Sequence, residues 1–370
     1  MTDPVGRHPD RRSVLLGLAA CGGMLVSGAP ARAAETLVAR SRRERSVRIY
    51  SNMAEYNWRE MLEGFARHYP WISVEAMDMG PTEVFERYYA EHSARRPSAD
   101  IIVSSAPDAW LRFLSNHGVA PYQSPEALHL PRWSIPAPGL YTLSADPMVM
   151  LFNKILLPPA MRPSGLGQLA GIAAANPRKF AHRITTYDAA SHALAYAVHW
   201  SAIQRERPGG WDLMARLAPY VRLETGGAAM LDKVTVGEYL AAFHVSSVTV
   251  LPQMREKGRS EIVEWRLCAD GTPVVPRGMA VTAGATSPAS SRLLLDYLLS
   301  REGQMLAARG GLTPYRGDVS ERDVSSLTFD GLTRRLGAAN VVLVGYDPQM
   351  IRGNAAFLAR WNGLFRGHRR

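Results

Sequence analysis

Cysteine is nearly absent from this chain. Only Cys21 and Cys268 occur in 370 residues. If Cys21 is removed with a leader, Cys268 stands alone, no internal disulfide can form, and the thiol reads as buried and inert. Apolar runs are also short: residues 14–29 are mostly apolar, yet too brief and too glycine-rich to anchor stably in a bilayer. Basic residues are plentiful, but no basic run is interleaved with aromatics, which argues against a nucleic-acid partner. There is no G-x-S-x-G elbow, no H-E-x-x-H and no S-x-x-K with its partner motifs, so an exported enzyme ranks last among the readings. Paired carboxylates leave that alternative open. No internal repeat is visible.

What is present begins with an export signal. Arg11-Arg12-Ser13-Val14-Leu15 is a twin-arginine start, and Ala31-Arg32-Ala33 is a small-residue cleavage site, which assigns residues 1–33 to a signal peptide and the product to the periplasm. A competing cut exists, because Leu18-Ala19-Ala20-Cys21 has the form of a lipoprotein lipobox. Only seven apolar or small residues precede Cys21 there, which favours the downstream site. Removing the leader takes Arg7, Arg11, Arg12 and Arg32 against Asp3 and Asp10, so the formal charge falls from +10 by +2 to +8. A positive balance favours anionic partners in general and also suits a solvated surface. Arg40 to Arg45 reads as a mixed-charge, disordered tail.

Beyond the tail, strands alternate with helices. Residues 47–50, 72–77 and 99–103 read as strands, and residues 57–69 read as a helix with Met61, Leu62, Phe65 and Tyr69 on one face. Residues 183–186 and 242–250 continue the strand pattern, 191–203, 328–337 and 349–365 are helices, and 158–171 is a loop. The Gly165-x-Gly167-x-x-Ala170 match to a dinucleotide fingerprint is dismissed, since no strand precedes it. Alternation of this kind implies βαβ units and a largely parallel sheet in an α/β fold. The length and the 46% apolar content allow two lobes, each with its own core.

Residues 271–314 are the most informative stretch. Pro273 and Pro276 force an extended backbone, residues 279–282 read as a buried strand, and Ser287 and Ser300 each precede a helix. Gly310-Gly311 closes the second of these helices. Gly271, Thr272, Pro273, Val274, Pro276, Gly278, Ala280 and Val281, followed by Ser300, Glu302, Gly303 and Gln304, match a GTPV-x-P-x-G-x-A-V strand and an S-x-E-G-Q helix. Tyr50-Ser51, Thr82-Glu83, Pro97, Ala99-Asp100, Ser104-Ser105 and the Gly118 to Pro125 stretch fit the same pattern.

With these motifs the chain resembles the bacterial extracellular solute-binding proteins of family 1, receptors of ABC importers, and most closely their iron, thiamine and organic-phosphate branch. The resemblance implies a two-lobed periplasmic-binding-protein (type II) fold. Each lobe is then a mostly parallel sheet flanked by helices, with a hinge between them. Lobe 1 would hold 46–146 and 274–312, and lobe 2 would hold 147–273 and 313–366.

Small polar residues after strands place the candidate site, since ligands of open α/β sheets bind at the carboxyl ends of strands. The candidates are Ser51, Asn52, Thr82, Ser104, Ser105, Tyr187, Asp188, Ser191, Thr225, Gly226 and Gly227, with His244 facing the cleft and Arg277 pairing with an anion. Helix N-termini at these turns would hold an oxyanion through unpaired N–H groups. Each turn is also readable as a simple helix cap. His192 and His199 share a helical face and read as core or surface residues, because no third metal ligand has recognisable spacing. Iron binders of the family use adjacent tyrosines after a G-E segment. Here that stretch is Ala241 to Ser247 and has none, while Tyr88-Tyr89 diverge on a helix. No cofactor and no metal are expected.

The reading is therefore a monomeric periplasmic receptor that gives a small anionic solute, an organic phosphate or carboxylate, to an ABC permease. Alternatives are a partner of a membrane sensor kinase and a ferric binder with a non-tyrosine site.

Overall fold

The computed structural model describes residues 29–206 and 208–366. Arg11, Arg12 and Cys21, which carry the leader and lipobox readings, lie outside the described residues. In chain order the first half gives α1 (Ala29–Glu44), β1 (Ser46–Ser51), α2 (Glu55–His68), β2 (Ser73–Asp78), α3 (Glu83–Ser93), β3 (Ile101–Ser104), α4 (Pro107–Ser115) and the long β4 (Tyr141–Asn153). Next come α5 (Leu166–Ala175), α6 (Pro177–Phe180), β5 (Ile184–Tyr187), α7 (Ala193–Arg205), α8 (Gly210–Leu217), β6 (Val221–Glu224), α9 (Gly227–Thr235), β7 (Ala241–Ser246) and α10 (Ser247–Gln253). The chain finishes with α11 (Arg259–Ile262), β8 (Val263–Arg266), β9 (Thr272–Val281), α12 (Pro288–Leu299), α13 (Arg301–Arg309), α14 (Glu321–Val324), α15 (Phe329–Leu336), β10 (Val341–Leu343) and α16 (Gln349–Phe365).

The strands follow the order β2-β1-β3-β9-β4-β7-β5-β6. At one end β2, β1 and β3 are mutually parallel, and at the other β6, β5 and β7 are. The two parallel sets are joined through antiparallel β9 and β4. The first part of β4 pairs with β9, whereas Met148 to Asn153 pairs with β7 and β8. Each half buries a separate apolar core. Trp58, Met61, Phe65, Leu294, Leu295, Leu298 and Leu299 pack on one face of the first set, and Trp110, Phe85 and Phe113 pack on the other. Phe152, Phe243, Trp361 and the apolar face of α7 fill the second. The fold is the two-lobed α/β architecture expected.

Several local expectations are corrected by tertiary contacts. Arg40 to Arg45 is not a disordered tail, because residues up to Glu44 are helical. Ser41 is buried, Arg42 lies 3.8 Å over the Trp71 ring, and the Glu44 carboxylate accepts from the N–H groups of Ala289 and Ser290 at the start of α12. The proline-rich lead and the following strand are one element, β9. The stretch 242–250 divides, with β7 ending at Ser246 and the β-branched Val248-Thr249-Val250 in helix α10. Residues 158–171 are not all loop, since α5 starts at Leu166. The carboxylate of Asp270 accepts from Leu166 and Gly167 N–H, a cap about a hundred residues away in sequence. Ser300 caps α13 by accepting from Gly303 N–H at 3.1 Å. Ser287 stands at the start of α12 without a side-chain cap, which the Asp100 carboxylate replaces. Residues 313–343 contribute Tyr315 and Leu332 to a small core with Ala145 and Val274, and Val344 and α16 join the second core.

Candidate functional site

Because β1 and β2 are parallel and in register, Ser51 and Asp78 end side by side. In the other half Tyr187 and Glu224 end together in the same way. The turns after these strands line a cleft of about 350 Å³ between the halves. From the first half come Asn52 to Ala54, Tyr56, Asn57 and Asp78 to Pro81. From the second come Tyr187, His192, Leu194, Gly226 to Ala228, Ser246, Val248 and Thr249, and Arg277 of β9 lies between. This is the carboxyl-end geometry expected of ligand sites in such sheets.

Arg277 is the polar centre. It is 2% exposed, and its Nε donates to Asp146 Oδ2 at 3.2 Å. Its Nη1 donates to the side-chain and backbone oxygens of Asn52, at 2.8 and 3.3 Å. Nη2 makes no hydrogen bond among the described residues. Asp146, on β4, also accepts from Ser144 Oγ and Thr313 N–H. Burial pushes its carboxyl up, against the pull of Arg277. Asn52 in turn donates to Ser105 Oγ at 2.7 Å, so the guanidinium is held by a network that spans both crossover strands and the turn after β1.

The facing wall is aromatic and amide-rich. Tyr187 and His192 stack with ring centroids 5.3 Å apart. Burial pushes the Tyr187 phenol up to about 12, and the same cause lowers the His192 imidazole. Helix α9 begins at Gly227 with glycine at its N-cap, no side-chain cap and no acidic residue in its first turn. A Cβ at Gly227 would sit 2.5 Å from the Tyr187 hydroxyl, so only glycine lets the helix start approach that ring.

Sequence comparison fits this geometry: the family model for bacterial extracellular solute-binding proteins matches residues 47–313. The chain belongs to that family. Among solved structures, this solute-binding protein resembles the substrate-binding protein of an ABC transporter from Agrobacterium tumefaciens, at 21% identity and a TM-score of 0.78, over 87% of this chain and 94% of that one. AfuA from Actinobacillus pleuropneumoniae, whose structure holds exogenous fructose-6-phosphate, is 16% identical with a TM-score of 0.68, over 87% and 98%. Iron-bound HitA from Pseudomonas aeruginosa is 16% identical with a TM-score of 0.62, over 79% and 99%. No curated protein sequence matches the chain.

In this solute-binding protein Asn52, Tyr187, Gly226, Gly227 and Arg277 come together in the cleft. The other sequence candidates do not line it, each for a local reason. Ser51 is fully buried and accepts from Trp58 Nε1, and Ser104 donates to the Pro81 carbonyl while accepting from Ala106 N–H. Ser105 stands behind Asn52. Thr82 precedes α3 without capping it, Ser191 donates to the Asp188 carbonyl, and Thr225 is exposed on its turn. Asp188 accepts from Trp361 Nε1 and Arg366, which ties α16 to the second half.

His244 is the clearest correction. Between Val149 and Leu151 of β4, strand β7 carries one residue more, a bulge with His244 at φ +55. The extra residue reverses the alternation and turns His244 away from the cleft onto His199, with Nδ1 atoms 3.4 Å apart. Both rings border a second cavity of about 240 Å³ near Asp270 and Met214. Among the described residues no cluster of three or more His, Cys, Asp or Glu could hold a metal ion. Asp78, Tyr56 and His192 line the cleft without having been singled out as ligand residues. Asp78 could have been found by the strand-end rule, since it closes β2 just before Gly80-Pro81.

Proposed function

We propose that the protein is the periplasmic receptor of an ABC importer and captures a small anionic solute, an organic phosphate or carboxylate, between its two lobes. One observation carries the reading. Arg277, whose Nη2 makes no hydrogen bond among the described residues, lines the same cleft as the uncapped N-terminus of α9, and together they can give charge-assisted donors and unpaired amides to one oxyanion. Fixing the guanidinium through Asn52 and Asp146 lowers the ordering cost of binding. The Tyr187–His192 stack supplies an apolar wall for the rest of the solute. Lobe closure about β4 and β9 would then bring α9 towards Asn52 and Arg277. The solute is bound and released unchanged, with no cofactor. AfuA, a fold relative whose structure holds a sugar phosphate, makes this ligand class reasonable.

The test is calorimetry on the mature chain with phosphoglycerate, sugar phosphates, phosphonates, dicarboxylates, thiamine and ferric citrate. At least one organic oxyanion should bind, and at a hundredfold excess over Kd it should stabilise the fold by about 2.7 kcal/mol. Arg277→Lys should weaken that binding. A response to ferric citrate alone would overturn the proposal in favour of iron.

A further inference from the structure

The charges in the cleft do not balance for a simple anion. Arg277 is already neutralised by Asp146, whose side chain is 1% exposed, so the pair brings donors but little net positive charge. Asp78 is different. It lines the same cleft, is exposed to it, and makes no ion pair and no side-chain hydrogen bond among the described residues. The neighbouring Met79 N–H, which gives the carboxylate a weak pull, makes its hydrogen bond to the Ser51 carbonyl at 2.8 Å. Partial burial pushes the Asp78 carboxyl up and outweighs the attraction of Arg277 in the same cleft.

Closure around a ligand would remove water from Asp78. An unpaired carboxylate taken out of water is costly, and a purely anionic solute adds like-charge repulsion to that cost. Both penalties vanish if the solute itself brings a cation. The first lobe then supplies a carboxylate, the second supplies the α9 amides, and β9 supplies a guanidinium edge between them. Resting on the receptor reading above, we propose that the solute is amphoteric. Its oxyanion sits at Arg277 Nη2 and the start of α9, and an ammonium group on the same molecule pairs with Asp78.

Matched probes test this by calorimetry on the full mature chain. 2-Aminoethylphosphonate is compared with ethylphosphonate, phosphoethanolamine with ethyl phosphate, and β-alanine with propionate. In at least one pair the amine should bind about tenfold tighter or more, the loss expected when a charged partner is removed. In Asp78→Asn that advantage should shrink to about twofold or less, while the amine-free partner holds or gains affinity. The unliganded melting temperature of Asp78→Asn should equal or slightly exceed the parent's, because the charge removed has no ion pair and is disfavoured by burial, and this separates a binding effect from misfolding. Amine-free probes that bind as tightly as their amines overturn the inference and leave the anion reading standing. An amine preference that survives Asp78→Asn overturns it equally. If none of the six probes binds and only ferric citrate or thiamine does, both the inference and the anion reading fall.

Discussion

Arg277 and Asp146 illustrate how one buried ion pair can be dispensable for folding yet hard to halve. Their side chains are 3% and 1% exposed, so each charge has lost nearly all its water. Removing one partner leaves the other charged, dry and uncompensated, which costs about 3–5 kcal/mol in comparable pairs. Arg277→Ala should lower stability by about that amount in urea denaturation. Arg277→Met combined with Asp146→Leu should recover most of the loss, because hydrophobic replacement of a whole buried pair is close to neutral. Equal destabilisation by the single and double variants would show that the hydrogen bonds to Asn52 and Thr313, not the charges, hold this part of the molecule.

At the level of elements, tight glycine contacts fix how helices meet. Gly303 opens the S-x-E-G-Q helix, and a Cβ there would lie 2.0 Å from the Tyr297 carbonyl oxygen. Gly303→Ala should therefore force α12 and α13 apart and cost about 1–3 kcal/mol by chemical denaturation, in line with overpacking elsewhere. A loss below half of that would mean the junction has slack. Elements of this kind were legible in the sequence because their signals are local: Ser300 before the helix, Gly311 after it, apolar residues every third or fourth place. Elements fixed by distant partners were not. Asp270 starts α5, Trp71 holds α1, and the bulge at His244 reverses a face without any mark in the letters. The candidate site shows the same division. Turns after strands were readable as positions, but whether a hydroxyl caps its own backbone, as in Ser104, or faces the cleft depends on geometry that no spacing encodes.

For the whole molecule, acid stability follows from the second core. His199 is fully buried and its pKa falls from 6.5 to about 3, chiefly by desolvation; burial and the neighbouring His199 push His244 well down too. Both bind a proton more readily unfolded than folded. Their contribution is complete above pH 6.5 and is lost as pH falls from there towards the folded value. At pH 5.5 each should have cost about 1.4 kcal/mol relative to neutral pH. Carboxylates held low by partners, such as Glu224 and Asp318, act in the same direction but only below their ordinary range near pH 4. Urea midpoints between pH 7.5 and 5 report these histidines together with His192, whose imidazole burial also lowers, less an opposing gain from Asp296, whose carboxyl burial raises to about 6; Asp296→Asn removes that offset. A flat profile in Asp296→Asn would show that protonated His199 and His244 are accommodated without unfolding.

Arg277 belongs to β9, one of the two strands that carry the chain between halves. In the proposed receptor, the guanidinium that meets the solute is thus mounted on a strand that closure would have to bend. Occupancy and movement would then share one short stretch of backbone, with no chain of intermediary side chains needed to transmit the message.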